Sequence, residues 1–194
     1  MKADGLEQLL LQALEHELST IEVYQAALRC VSNDALREEW EQYLAETRSH
    51  TDVLSELCAA LCVDLSRDTV GRLVVRRIGA ALVDSIEHAL ADGDRRVAQL
   101  VACECVMLAE AKDHMNWALL CSKVRRTFGA PYSNLKLACD QMEGEEDEHL
   151  LHARGWARAL WADRLRTPLR TVSEPEVDPM EDLLLLNERR AVRH

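Results

Sequence analysis

Apolar residues recur every three or four positions along most of this chain, and the interruptions mark five helices. From about Gly5 to Cys30, Leu6, Leu9, Leu10, Ala13, Ile21, Tyr24 and Leu28 fall on one stripe, with Glu17 in its middle. Ser32, Asn33 and Asp34 make a short turn, and Asn33 or Asp34 can cap a second helix reaching about Val63. That helix carries Leu36, Trp40, Tyr43, Leu54, Leu57 and Leu61. Two long helices joined by so short a turn must be antiparallel neighbours. A third helix is expected from about Asp68, with caps offered by Ser66 and Asp68, to about Ala91, where ADGD stops it. Roughly 24 residues at about 1.5 Å each span about 36 Å, enough to carry the chain back from one end of a bundle to the other. The fourth runs from about Asp94 to Thr127, FGAPYSN (Phe128 to Asn134) makes a turn, and the fifth runs from about Ser133 to Arg166. Neither a strand nor a heptad array can be read in the pattern.

Pro168, Pro175 and Pro179 all follow residue 165. Residues 1–165 therefore read as one helical domain. Residues 166–194 read as a proline-containing tail, in which MEDLLLLNERRAV predicts a short helix docked on the domain or on a second subunit.

Composition sharpens this picture. Aromatic residues make up only 4% and Leu and Ala dominate, which favours helix over sheet. The net charge of −11 argues against nucleic acid as a partner. Cys30, Cys58, Cys62, Cys103, Cys105, Cys121 and Cys139 are odd in number and form no CxxC pair. They read as reduced core residues of a cytoplasmic protein. MKADGLEQLL lacks the apolar stretch of a signal peptide, and no long uncharged apolar run exists, so no membrane partner is expected.

The candidate chemistry lies on the buried stripes. Glu17 is on the first helix, Glu46 and His50 are one turn apart on the second, and Glu110 and His114 are one turn apart on the fourth. Glu145, Glu146 and His149 share a face of the fifth. Counted from the turns, Glu17 and Glu46 lie at one level. Glu110 and Glu146 match to within roughly 6 Å, with Asp113 and His114 closer still in level to Glu146. Several buried carboxylates at one depth need a counter-charge, and no inward Arg or Lys is evident. A pair of divalent or trivalent cations meets that need, and Glu with His is an iron or manganese ligand set.

EHELSTIEVYQAAL (Glu15 to Leu28) resembles the first helix of bacterioferritin-type proteins, where a ligand Glu precedes a Tyr by seven residues, as Glu17 precedes Tyr24. EDEH (Glu146 to His149) matches the Glu-x-x-His of the ferritin-like superfamily, including the rubrerythrins. The resemblance covers about residues 5–165 as scattered motifs. It implies an all-α, ferritin-like antiparallel four-helix bundle with a long helical crossover between two hairpins. It makes Glu17 a terminal ligand, Glu146 a bridge between two metals, His149 a ligand of one and Glu110 the fourth-helix carboxylate. Asp113 resembles a second acid that rubrerythrins place three residues later. On the second helix the pattern asks for Glu three before His50, where Thr47 stands, and Glu46 is one residue off. A spacing of four still fits one helix face, and Glu145 with His149 would reproduce it.

The expected function is therefore a metal-binding protein with a dinuclear site. Two iron ions are expected, with manganese or zinc as alternatives. The site acts in iron oxidation or binding, or as an oxidase or peroxidase towards O₂ or peroxide, in a homodimer or larger homo-oligomer. Two alternatives differ in class. One is a metal-free ferritin-like scaffold that binds a partner through Leu183 to Leu186. The other is a cysteine-based redox sensor with a reactive thiol.

Overall fold

The computed structural model describes residues 5–167, and among them every regular element is a helix. The helices are α1 (Gly5–Ala27), α2 (Asp34–Ala60), α3 (Val70–Ala91), α4 (Arg95–Arg125) and α5 (Ala130–Leu165). No helix among the described residues is long and apolar enough to cross a membrane. The tail helix expected beyond Pro168, with Leu183 to Leu186, lies outside the described residues.

Local chemistry sets the boundaries. The Asn33 side chain accepts from the Leu36 N–H and caps α2. α3 is capped by Thr69, which accepts from the Arg72 N–H, and not by Ser66 or Asp68. Ser66 is taken up in the preceding turn, where its N–H and hydroxyl both donate to Asp64. Asp94 caps α4 through two backbone N–H groups. The turn before α5 is shorter than the sequence suggests. Gly129 supplies the positive φ of 128°, and the helix starts at Ala130 with Pro131 in its first turn. A proline there removes only an N–H that has no helical partner, so it starts the helix and does not break it.

α1 packs on α2, α2 on α5, α5 on α4 and α4 on α1, while α3 lies against α1 and α4. Two apolar clusters fix the directions. One joins Leu10 and Leu14 of α1 with Leu54 and Leu57 of α2, Trp117 and Leu120 of α4, and Leu135 and Met142 of α5. The other joins Val23 and Ala27 of α1 with Leu36 and Trp40 of α2, Ile86 of α3, Ala102 and Val106 of α4, and Ala153 and Ala157 of α5. The start of α1 thus shares a level with the ends of α2 and α4 and the start of α5. The stretch between the two clusters is where the charged residues fall.

The structure departs from the sequence reading of the cysteines. Cys121 of α4 and Cys139 of α5 form a disulfide with Cα atoms 5.6 Å apart. They stand 18 residues apart on different helices, with no motif between them. Only the pairing of α4 with α5 brings them together. Cys30, Cys58, Cys103 and Cys105 are buried free thiols and Cys62 is exposed. The inference from reduced thiols to a reducing compartment accordingly loses its support.

Candidate metal centre

Four helices send acid and imidazole side chains into the layer between the apolar clusters. Glu17 of α1, His50 of α2, Glu110 and Asp113 of α4, and Glu146 and His149 of α5 are all at most 1% exposed. Each sits on the inward stripe of its helix, one or two turns from core residues such as Ala13, Leu54, Val106 and Met142.

The group has two matching halves that share Glu146. In one, His50 Nδ1 lies 3.0 Å from Glu146 Oε1 and 3.6 Å from Glu17 Oε1. In the other, His149 Nδ1 lies 3.4 Å from Glu110 Oε2 and 3.9 Å from Glu146 Oε1. Ligand atoms of Glu17, His50 and Glu146 fall within 4.8 Å of one another, as do those of Glu110, Glu146 and His149. The outer supports also match. The indole N–H of Trp117 donates to Glu17 Oε1 at 2.6 Å, and the Tyr24 hydroxyl donates to Glu110 Oε1 at 2.7 Å. His50 Nε2 lies 2.8 Å from Glu145 Oε2, and His149 Nε2 lies 2.7 Å from Glu46 Oε2.

Glu146 is therefore the inward acid of its pair, and Glu145 approaches from the solvent side. Glu46 also stands outside the centre, behind His149. The position three before His50 does face inward, but it holds Thr47, whose hydroxyl donates back to the Tyr43 carbonyl at 2.8 Å. His114 is turned away and pairs with the exposed Asp147 at 2.8 Å. His16 of α1 is also buried, with Nε2 2.8 Å from the Ala109 carbonyl, and burial holds its pKa down to about 4. Tyr24 stands out in the sequence through its spacing of seven from Glu17, whereas the supporting role of Trp117 carries no sequence signal.

Electrostatics mark the group as under-compensated. Burial raises the pKa of Glu17, and raises that of Asp113 well above its ordinary value with help from Glu17, Glu146 and Glu110. Burial also pushes Glu146 up to about 8, despite His50 beside it. For the histidines burial opposes a charge, but the adjacent carboxylates prevail. Glu146 and Glu17 push His50 up to about 11, and Glu110 with Glu146 pushes His149 up to about 9. Glu17 Oε2, His50 Nδ1, Glu110 Oε2, Asp113 Oδ1, Glu146 Oε2 and His149 Nδ1 are all buried without a hydrogen-bond partner. Buried polar atoms are normally satisfied. Six unsatisfied acid and imidazole atoms on four adjoining helices fit cations bound between them, and the oxygen and imidazole donors suit iron, manganese or zinc. Comparison with protein families, with curated proteins and with solved structures gives no significant match.

Proposed function

We propose that α1, α2, α4 and α5 form a ferritin-like antiparallel four-helix bundle, with α3 as its crossover, that binds a pair of metal ions. Iron is the first choice and manganese the second. Glu17 and His50 would hold one ion, Glu110 and His149 the other, and Glu146 would bridge them. Two such ions sharing a carboxylate supply paired one-electron steps for oxidising Fe(II) or reducing O₂ or peroxide. The observation that carries this reading is the set of five unpartnered ligand atoms on the two halves around Glu146.

The chain's own residues prepare the site. Glu46 and Glu145 accept the Nε2–H of His149 and His50, which fixes the tautomer that leaves each Nδ1 lone pair facing the centre. Trp117 and Tyr24 hold one oxygen of Glu17 and of Glu110, leaving the other free to bind. The apolar clusters on either side keep bulk water out, which strengthens every electrostatic contact inside.

Thr47 favours a second reading, a scaffold that keeps the fold without the metals, because it withholds one bridging carboxylate. Metal analysis of protein purified without chelator, followed by anaerobic Fe(II) titration, separates the two. The dinuclear reading expects two ions per chain and a rise in Tm on loading. A chain that takes up no metal and gains no stability with Fe(II) would leave only the scaffold.

A further inference from the structure

α2 and α5 meet along a polar seam, and one part of it has no role in holding metal. Tyr43 of α2 is buried, with its ring against that of His149, centroids 4.0 Å apart. The two ring planes are tilted by 38°. The Tyr43 hydroxyl lies 2.6 Å from His152 Nδ1. The same Nδ1 lies 3.4 Å from Glu39 Oε2, and the other Glu39 oxygen accepts from the Trp156 indole N–H at 2.9 Å. The His152 side chain is 39% exposed, so the row runs from the wall of the centre to solvent.

We propose that Tyr43, with His152 as its proton acceptor, is a one-electron relay between the centre and the α2–α5 surface; this rests on the reading of the centre as a redox metal site. A phenol gives up an electron readily only if its proton leaves at the same time, and a hydrogen-bonded imidazole provides the place. One electron passes from Tyr43 to a one-electron oxidant, the oxidised centre. The O–H bond breaks and an N–H bond forms at His152 Nδ1. The products are a neutral phenoxyl radical and an imidazolium beside the Glu39 carboxylate. A one-electron donor at the surface then returns the electron, and His152 returns the proton. The net result is one electron carried inward with no proton consumed.

Tyr24 is the obvious competitor, but its geometry is wrong for this role. Its hydroxyl donates to Glu110 Oε1, and it is fully buried, so its proton would remain inside the centre.

The relay is tested first on the full-length, metal-free protein with a photogenerated one-electron oxidant, read by transient absorption and electron paramagnetic resonance. A neutral tyrosyl radical is expected, absent in Y43F, which keeps the ring against His149. In H152Q its formation should slow on the order of 100-fold, the usual contribution of a positioned base, and the solvent deuterium isotope effect should change. E39Q should slow it less. A radical of equal yield in Y43F, or of equal rate in H152Q, overturns the relay. The second arm adds Fe(II) and then peroxide, and a Tyr43-dependent radical supports the coupling to the centre. A chain that binds metal but forms the oxidised centre without a Tyr43-dependent radical overturns that coupling. A chain that binds no metal overturns the dinuclear reading instead, and the first arm still decides whether Tyr43 and His152 work as a pair.

Discussion

Each buried histidine of the centre has two ring nitrogens with opposite surroundings. Nδ1 faces unsatisfied carboxylates, while Nε2 is tied to an acid that reaches towards solvent. The residues behind these contacts were only half legible. In a helix, positions three and four before a histidine lie about 60° to one side of it and about 40° to the other, so both count as sharing its face. Spacing therefore could not choose between Glu145 and Glu146, or between Thr47 and Glu46. The packing of α2 against α5 decides, by turning the third position inward on both helices. This assigns different consequences to neighbouring acids. E46Q and E145Q should each weaken metal binding about 10–100-fold without changing the number of ions bound, because they loosen the imidazole and leave every proposed ligand in place. E146Q removes the acid common to both halves and should lower the number itself. Equilibrium titrations with metal analysis check this, and equal behaviour of E145Q and E146Q would contradict the inward and outward assignment.

At the scale of elements, five helices and their order follow from the apolar period alone, since nothing else fits stripes of that length. What the period could not give is how closely two helices approach. Gly79 of α3 sits against Ser19 of α1, and a Cβ added there would stand 2.4 Å from the Ser19 Cβ and 3.6 Å from its Cα. α3 can lie this close to α1 only because the position is Gly. G79A should cost about 1–3 kcal/mol, the usual penalty of overpacking a tight contact. Gly155 of α5 has open space around it and a helical backbone. G155A should instead stabilise by about 0.5–1 kcal/mol through helix propensity. Urea denaturation of the two variants reads the contrast directly, and a neutral G79A would mean that α3 is not pinned at this point. The Cys121–Cys139 bond between α4 and α5 was out of reach for the same reason: periodicity gives each helix a face but not its partner.

For the whole molecule, the centre without metal is balanced by protons, and that fixes how loading must depend on pH. With His50 pushed up to about 11, His149 up to about 9 and Glu146 up to about 8, each carries a proton at neutral pH. Metal binding needs the histidine lone pairs and the ionised carboxylate, so it must expel these protons. The sign follows directly. Lowering pH adds protons only to the metal-free state and stabilises it relative to the loaded one, so apparent affinity falls as pH falls. Raising pH through about 8 and then 9 removes first the Glu146 proton and then that of His149, and affinity rises. Calorimetric titrations with Mn(II) or Zn(II) at pH 7, in buffers of different ionisation heat, should report release of two or more protons per loaded chain. The same linkage reaches the fold. A ligand present at 100 times its Kd raises stability by about 2.7 kcal/mol, so the metal-dependent rise in Tm should grow between pH 6 and 8 at fixed metal concentration. Release of no protons, or a rise in Tm independent of pH, would mean that the ions bind to surface carboxylates and leave the centre in its protonated form.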